Sequence, residues 1–102
     1  MYSIRYLELF NKDLELTLDY ISNILCNEMS SKKLKEEVDK KIIEIRKNPY
    51  IFSNHVGMQL LKNSYKKAKV NNYYILYSVD EEKKLVKIYR FVYAASDMSI
   101  YV

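Results

Sequence analysis

The residues of this sequence that are best suited to chemistry or binding are lysines and tyrosines in its C-terminal half. Lys67 and Lys69 are two residues apart, so on a β-strand they share one face of the sheet while Lys66 points to the other. Tyrosines, among them Tyr74, lie close to these lysines in the sequence. Ammonium groups hold phosphates and tyrosine rings stack on bases, so a sheet that displays both is suited to single-stranded RNA.

The charge distribution points to the same stretch as a binding surface. Residues 59–79 contain four lysines and no acidic residue, within a chain whose formal net charge is +4. Such an excess suits a polyanion or an acidic protein partner. An ordinary solvated strand face is the alternative interpretation.

The last predicted strand adds two candidates, Arg90 and Tyr93, which are three residues apart and therefore point to opposite faces. Tyrosines in general pack in or beside a hydrophobic core. We expect this for one group of strand tyrosines, namely Tyr73, Tyr77 and Tyr89. A second group is equally suited to the core and to a binding surface, namely Tyr65, Tyr74 and Tyr93.

The composition excludes most cofactor and metal chemistry. The sequence has one glycine, one proline, one cysteine and one histidine against eleven tyrosines. A phosphate-binding loop needs several glycines, and a structural zinc site needs four Cys or His ligands, whereas only Cys26 and His55 are available. We therefore expect no cofactor and no metal. Cys26 is expected to be a small buried residue at a helix end, and His55 a loop residue without a catalytic role.

Length and hydropathy predict a single domain that covers residues 1–102. No segment reaches the ~20 apolar residues of a membrane span, and the N-terminus lacks the apolar stretch of a signal peptide. A single cysteine cannot form an intramolecular disulfide, which favours a reducing compartment. We expect a cytoplasmic protein without a membrane partner.

Hydrophobic periodicity predicts a short strand over residues 2–7 and then two helices. The first helix, capped by Asn11, has an apolar stripe at Leu14, Leu18, Ile21 and Leu25. The second, capped by Ser30 or Ser31, has one at Leu34, Val38, Ile42 and Ile45. Pro49 ends the second helix, because the residue before a proline is pushed out of the α region.

Three strands are predicted after a loop at residues 50–59. They cover residues 60–70, 73–79 and 85–93, joined by a tight turn at Asn71 and Asn72 and by a solvated polar turn at residues 80–84. The resulting order is β-α-α-β-β-β. It predicts an α+β fold in which an N-terminal helical hairpin packs on one face of an antiparallel sheet and leaves the other face partly open.

The sequence resembles the RelE/ParE toxin superfamily of type II toxin–antitoxin modules. The resemblance covers nearly the whole chain and rests on residues 65–77, residues 86–97 and the helical pair with Leu14, Tyr20, Ile21 and the ending from Ile42 to Pro49. It implies a RelE/ParE-like fold and a toxin that a cognate acidic antitoxin, encoded beside it, neutralises.

The resemblance also implies two possible activities. One branch of the superfamily cleaves ribosome-bound mRNA, and the other binds DNA gyrase and is not a nuclease. The ribonuclease branch usually carries an arginine where this chain has Tyr74, and a basic residue where it has Ala95 and Ser96. A phosphorane site without those cations loses a large electrostatic contribution, about 2.7–4 kcal/mol per donor in other enzymes.

We therefore expect a ParE-like toxin that inhibits growth, and so stabilises a plasmid, by binding a target such as DNA gyrase rather than by catalysis. Two alternatives stay open: a metal-independent endoribonuclease that acts on ribosome-bound mRNA, and a degenerate member that only binds antitoxin. In the ribonuclease case the catalytic residues would be Lys67, Lys69 and Tyr93. The residues expected to bind the target or nucleic acid are Lys66, Lys67, Lys69, Tyr74 and Arg90.

Overall fold

The computed structural model of the chain describes residues 1–52 and 65–95. The elements follow the predicted order, with a π-helical turn at Tyr20–Ile24 after the first helix. Their bounds are β1 Ser3–Tyr6, α1 Glu8–Asp19, α2 Glu28–Lys47, β2 Lys66–Val70, β3 Tyr73–Asp80 and β4 Leu85–Tyr93. Part of the predicted 60–70 strand, most of the predicted 50–59 loop with His55, and Ser96 lie outside the described residues.

The four strands form one sheet in the order β1-β4-β3-β2. The predicted antiparallel pairing holds for β2, β3 and β4, whereas β1 joins β4 in parallel, so the sheet is mixed. Parallel neighbours require a long crossover connection, and here the two helices lie between β1 and the later strands in sequence. Asn71 takes a φ of 53° in the tight turn between β2 and β3, as predicted for an asparagine there.

One hydrophobic core lies between the helices and the sheet. The helices contribute Phe10, Leu14, Leu34, Val38, Ile42 and Ile45, which includes every predicted apolar position of α2. The sheet contributes Ala68, Val70, Ile75, Tyr77, Val86, Ile88 and Phe91. The two helices therefore pack on one face of the sheet, as predicted.

Both ends of the first helix differ from the prediction. It begins at Glu8 rather than after Asn11, because the Leu7 N–H bonds to the Ile88 carbonyl and β1 leads directly into the helix. It ends in the π-helical turn, after which Cys26 adopts a φ of 51°. Cys26 is exposed, so the expectation that it is buried was wrong.

The second helix is capped by Asn27, whose Oδ1 accepts a hydrogen bond from the Ser30 N–H at 3.0 Å. The predicted caps Ser30 and Ser31 instead lie inside the first turn. The Ser31 hydroxyl reaches back to the Leu18 carbonyl at 3.1 Å and joins the two helices. The helix ends at Lys47, two residues before Pro49, as predicted.

The buried Tyr77 hydroxyl donates a 2.6 Å hydrogen bond to the Pro49 carbonyl, and burial raises the pKa of this tyrosine. We expect Tyr77→Phe to lower the free energy of unfolding by about 1–2 kcal/mol, because the carbonyl then loses its donor inside the core. Urea denaturation measures the change. Tyr74→Phe, on the same strand, removes a hydroxyl from the other face and should change stability by less than about 0.5 kcal/mol. Equal effects of the two variants would contradict the prediction.

Among the described helices, none is long and apolar enough to cross a membrane.

Candidate functional site on the open face of the sheet

The strand register defines which side chains occupy the face of the sheet away from the helices, called the open face here. Lys67 pairs with Leu76 and Lys69 pairs with Tyr74, while the intervening Ala68 pairs with the core residue Ile75. Because successive side chains alternate between faces, Lys67 and Lys69 lie together on the open face. Lys66 points to the helix side, as the spacing predicted.

Tyrosine rings cover a small apolar floor on the open face. Leu76 and Val92 are buried there, and Tyr65 and Tyr74 pack against them. The Tyr65 and Tyr89 rings meet edge to face at a centroid distance of 4.8 Å. These rings form a half-exposed aromatic surface beside the lysines.

Tyr89 was expected in or beside a hydrophobic core, and it is half-buried against Tyr65 on the open face, where the strand register places it. The pairing between β3 and β4 shifts between Leu76 and Tyr77, so that Tyr89 is the extra residue of a bulge. Its hydroxyl accepts a 3.4 Å hydrogen bond from Ser78. Tyr77 is fully buried and Tyr73 is half-buried against the core, as expected for both.

Among the described residues, four cations line the open face: Arg5, Lys67, Lys69 and Lys87. Within residues 1–52 and 65–95, none of the four forms an ion pair. Lys67 Nζ instead lies 4.9 Å from the centre of the Tyr74 ring. Asp80 shares this face by register at the far end of β3, where its carboxylate accepts the Lys83 N–H at 3.2 Å. Cations therefore outnumber acids among the described side chains that the register assigns to the open face.

Sequence reasoning missed two of these cations, Arg5 and Lys87. They are direct neighbours because β1 pairs in parallel with β4. Strand alternation could have assigned Lys87 to the open face, since Val86 and Ile88 on either side are buried in the core. Nothing local could have placed Arg5 next to it, because 82 positions separate them in the sequence.

Lys66 lies in a different environment, on the helix side, where its Nζ is 5.4 Å from the centre of the Tyr50 ring. Tyr50 belongs to a cluster around Glu81, whose Oε2 accepts from the Tyr50 hydroxyl at 2.6 Å and from the Tyr2 hydroxyl at 2.8 Å. Lys84 pairs with the other oxygen of Glu81. The structure therefore separates Lys66 from Lys67 and Lys69.

Glu81 is exposed, as predicted for a solvated turn, but it also holds a cluster of partners that the sequence did not indicate. Its carboxylate binds Lys84 and two phenols, and these bonds lower the pKa of Glu81 to about 2. The hydrogen bond to Glu81 raises the pKa of Tyr50 to about 12. The cluster joins the N-terminus, the segment after α2 and the β3–β4 turn at one end of the sheet.

Arg90 is engaged by α1. Its Nε and Nη2 donate to the two carboxylate oxygens of Asp13 at 2.7 and 2.9 Å, and the Phe91 N–H also donates to Asp13 at 3.1 Å. The side chains of Asp13 and Arg90 are only 16% and 21% exposed. The fold thus uses Arg90 to hold α1 against β4 next to the bulge.

Tyr93 is also apart from the lysines. Its partner in the register is Tyr73, which packs towards the helix side, and the two rings are 5.6 Å apart. The side chain is half exposed at the end of β4. Of the six residues proposed from the sequence, the structure brings together Lys67, Lys69 and Tyr74, but not Lys66, Arg90 or Tyr93.

Comparison with known proteins agrees with this architecture. The family description "ParE toxin of type II toxin-antitoxin system, parDE" matches residues 4–98. The chain belongs to this family. ParE toxins are components of toxin–antitoxin systems, so membership implies an antitoxin partner. No curated protein matches the sequence significantly.

Two solved structures share the ParE-type fold. One is from the chromosomal ParDE system of P. aeruginosa, with a TM-score of 0.71 and 12% identity over 91% of this chain and 96% of that one. The other is the isolated E. coli RelE toxin, with a TM-score of 0.63 and 19% identity over 95% of this chain and 88% of that one. Both confirm the predicted RelE/ParE-like fold.

Proposed function

We propose that this ParE-family toxin inhibits growth by binding a macromolecular target such as DNA gyrase, and that the open face is the binding surface. The observation that carries the proposal is the set of four cations on that face, none of which is ion-paired within the described residues. Unpaired cations beside half-exposed rings favour an anionic or mixed partner surface. The toxin would act in the cytoplasm.

The arrangement of the candidate catalytic groups favours binding over RNA cleavage. Lys67 and Lys69 share the open face, whereas the register assigns Tyr93 to the other face. The arginine that could assist phosphate chemistry, Arg90, is held by Asp13. A general acid and an electrostatic stabiliser must lie within hydrogen-bond reach of the same reacting group.

Neutralisation by an acidic antitoxin is the second part of the proposal. Carboxylates of such a partner would complement the same cations, because opposite potentials across an interface speed association and select the right partner. Antitoxin and target would then compete for one surface.

An endoribonuclease is the other candidate function, favoured by a single observation. The lysine pair lies beside three tyrosine rings on one face, which is an arrangement suited to single-stranded RNA. A family member that only binds antitoxin is the remaining possibility.

Inducing the toxin without its antitoxin distinguishes these functions. The binding proposal expects growth arrest, intact transcripts and inhibited supercoiling when purified toxin is added to gyrase. Arrest with fragmented ribosome-bound mRNA and unaffected supercoiling would overturn it in favour of the ribonuclease. Normal growth at a verified protein level would leave antitoxin binding as the only activity.

A further inference from the structure

The outer side of α1 exposes a row of large apolar side chains. Leu9, Leu16 and Tyr20 are spaced by seven and four residues, so they lie on one side of the helix. Ile24 follows four residues later, in the π-helical turn. Leu16 and Ile24 are 69% and 68% exposed, and Leu9 and Tyr20 are more than half exposed. These four residues, called the α1 row here, extend over about 22 Å at the rise of an α-helix.

The α1 row is distinct from the side of the helix that packs in the core, and it continues onto the end of the sheet. Phe10 and Leu14 are buried in the core, about a third of a turn away from the row. Burial raises the pKa of Tyr73, and the phenols of Tyr93 and Tyr20 raise it further because both lie nearby. Exposed apolar surface of this extent, with a polar rim, is typical of protein interaction sites.

A row of acids runs beside the α1 row with the same spacing. Glu8, Glu15 and Asp19 each precede a residue of the α1 row, and all three are exposed. None of the three forms an ion pair or a side-chain hydrogen bond with another residue in the parts of the chain that the structure describes. Lys12 is the single basic residue of α1, so this rim has an excess of acids.

We propose that the α1 row and its acids dock a basic amphipathic helix of a protein partner. The apolar stripe of such a helix packs along the row, and its lysines or arginines lie beside Glu8, Glu15 and Asp19. The partner segment is a helix because α1 has no strand edge to pair with, and because spacings of seven and four residues are those of helix–helix contacts.

The charges exclude an acidic partner at this surface. An acidic helix would bring like charges next to the three carboxylates of α1. The acidic antitoxin proposed for the open face would therefore not compete for the α1 row, and the inference is independent of the proposed function. A second copy of the chain offers no matching helix, because the apolar stripe of α2 is buried in its own core and its α1 carries the same acids.

Two synthetic peptides test the charge preference. One is an amphipathic helix of about 15 residues built from leucine and lysine, long enough to cover the row, and the other has glutamate in place of lysine. Amide chemical shifts of Leu16 and Tyr20, in the full chain made by cell-free synthesis, report binding at the row separately from binding at the open face. We expect the leucine–lysine peptide to saturate these shifts and the leucine–glutamate peptide to bind there roughly tenfold more weakly, or less.

Charge reversal on α1 should reverse this preference. Glu15→Lys with Asp19→Lys is expected to weaken the leucine–lysine peptide roughly tenfold and to strengthen the leucine–glutamate peptide at the row. Glu36→Lys with Glu82→Lys is the matched control, since it changes net charge equally at two exposed acids outside α1 and should leave both affinities at the row unchanged.

The apolar part of the surface is tested separately with Leu16→Gln, which should weaken the leucine–lysine peptide roughly tenfold while circular dichroism shows an unchanged fold. Ile43→Gln, at an exposed apolar position of α2, should have no effect. The proposal is overturned if the leucine–lysine peptide does not bind at the row, if both peptides bind there equally, or if the control pair loses as much affinity as the α1 pair. Self-association of the peptide-free chain through Leu16 would also overturn it, in favour of a second copy.

Discussion

Asp13→Ala is expected to lower the free energy of unfolding by about 3 kcal/mol, because it breaks a largely buried ion pair and leaves one partner uncompensated. Asp13 accepts three hydrogen bonds, two from the Arg90 guanidinium and one from the Phe91 N–H. Its removal leaves a guanidinium and a peptide N–H poorly solvated at the α1–β4 contact. Thermal and urea denaturation measure the loss.

A double-mutant cycle separates the unpaired charge from the lost packing. Arg90→Met removes the cation, so Asp13→Ala should cost less in that background than in the wild type. Asp19→Ala, at an exposed position of α1, is the matched control and should change stability by less than about 0.5 kcal/mol. If the effects of the two substitutions on the free energy of unfolding are additive, the ion pair between Asp13 and Arg90 is not what stabilises the packing of α1 on the sheet.

Reversing both open-face lysines, with Lys67→Glu and Lys69→Glu, is expected to abolish growth arrest while the fold persists. The substitutions put two acids where an anionic partner surface would bind, and we expect target affinity to fall roughly a hundredfold. Colony formation after induction and binding to purified gyrase measure the effect. Lys67→Arg with Lys69→Arg keeps the charges and should keep the arrest.

The control changes net charge equally on another surface. Lys33→Glu with Lys40→Glu alters two exposed lysines of α2 and should leave toxicity intact. Tyr93→Phe is informative as well, because binding through the open face does not use the Tyr93 hydroxyl, whereas a ribonuclease that donates a proton from it would lose activity. Arrest that survives the lysine reversals would remove the open face from the proposed mechanism.

The lysines of β2 show what local sequence patterns can predict about the candidate site. The period of two along a strand separated Lys66 from Lys67 and Lys69 before any pairing was known, and the register agrees. The same kind of periodicity predicted the α2 core positions and the order of the elements. The sequence also predicted the family, because the motifs on which the resemblance rests are contiguous stretches of the chain.

The site itself depended on partners that are remote in sequence. From the sequence, Arg90 was expected to bind a target or nucleic acid. In the structure it binds the carboxylate of Asp13, which is 77 residues away in the sequence. Tyr89 lies on the open face because of a bulge in the β3–β4 register. No pattern of residue types in the sequence predicted that bulge. Glu81 is exposed, as predicted, but its hydrogen bonds come from Tyr2 and Tyr50, which belong to two other segments.

The sequence by itself determined the elements, their order, the apolar faces of the helices and the exclusion of a glycine-rich phosphate loop, a four-ligand Cys/His zinc site and an intramolecular disulfide. These properties follow from composition and from periodicities that each segment satisfies alone. Only the tertiary structure decided that β1 joins in parallel, that Arg5 stands beside Lys87, and which cations are free of ion pairs within the described residues. Those outcomes depend on which distant groups meet once the helices cross over the sheet, and no local pattern encodes them.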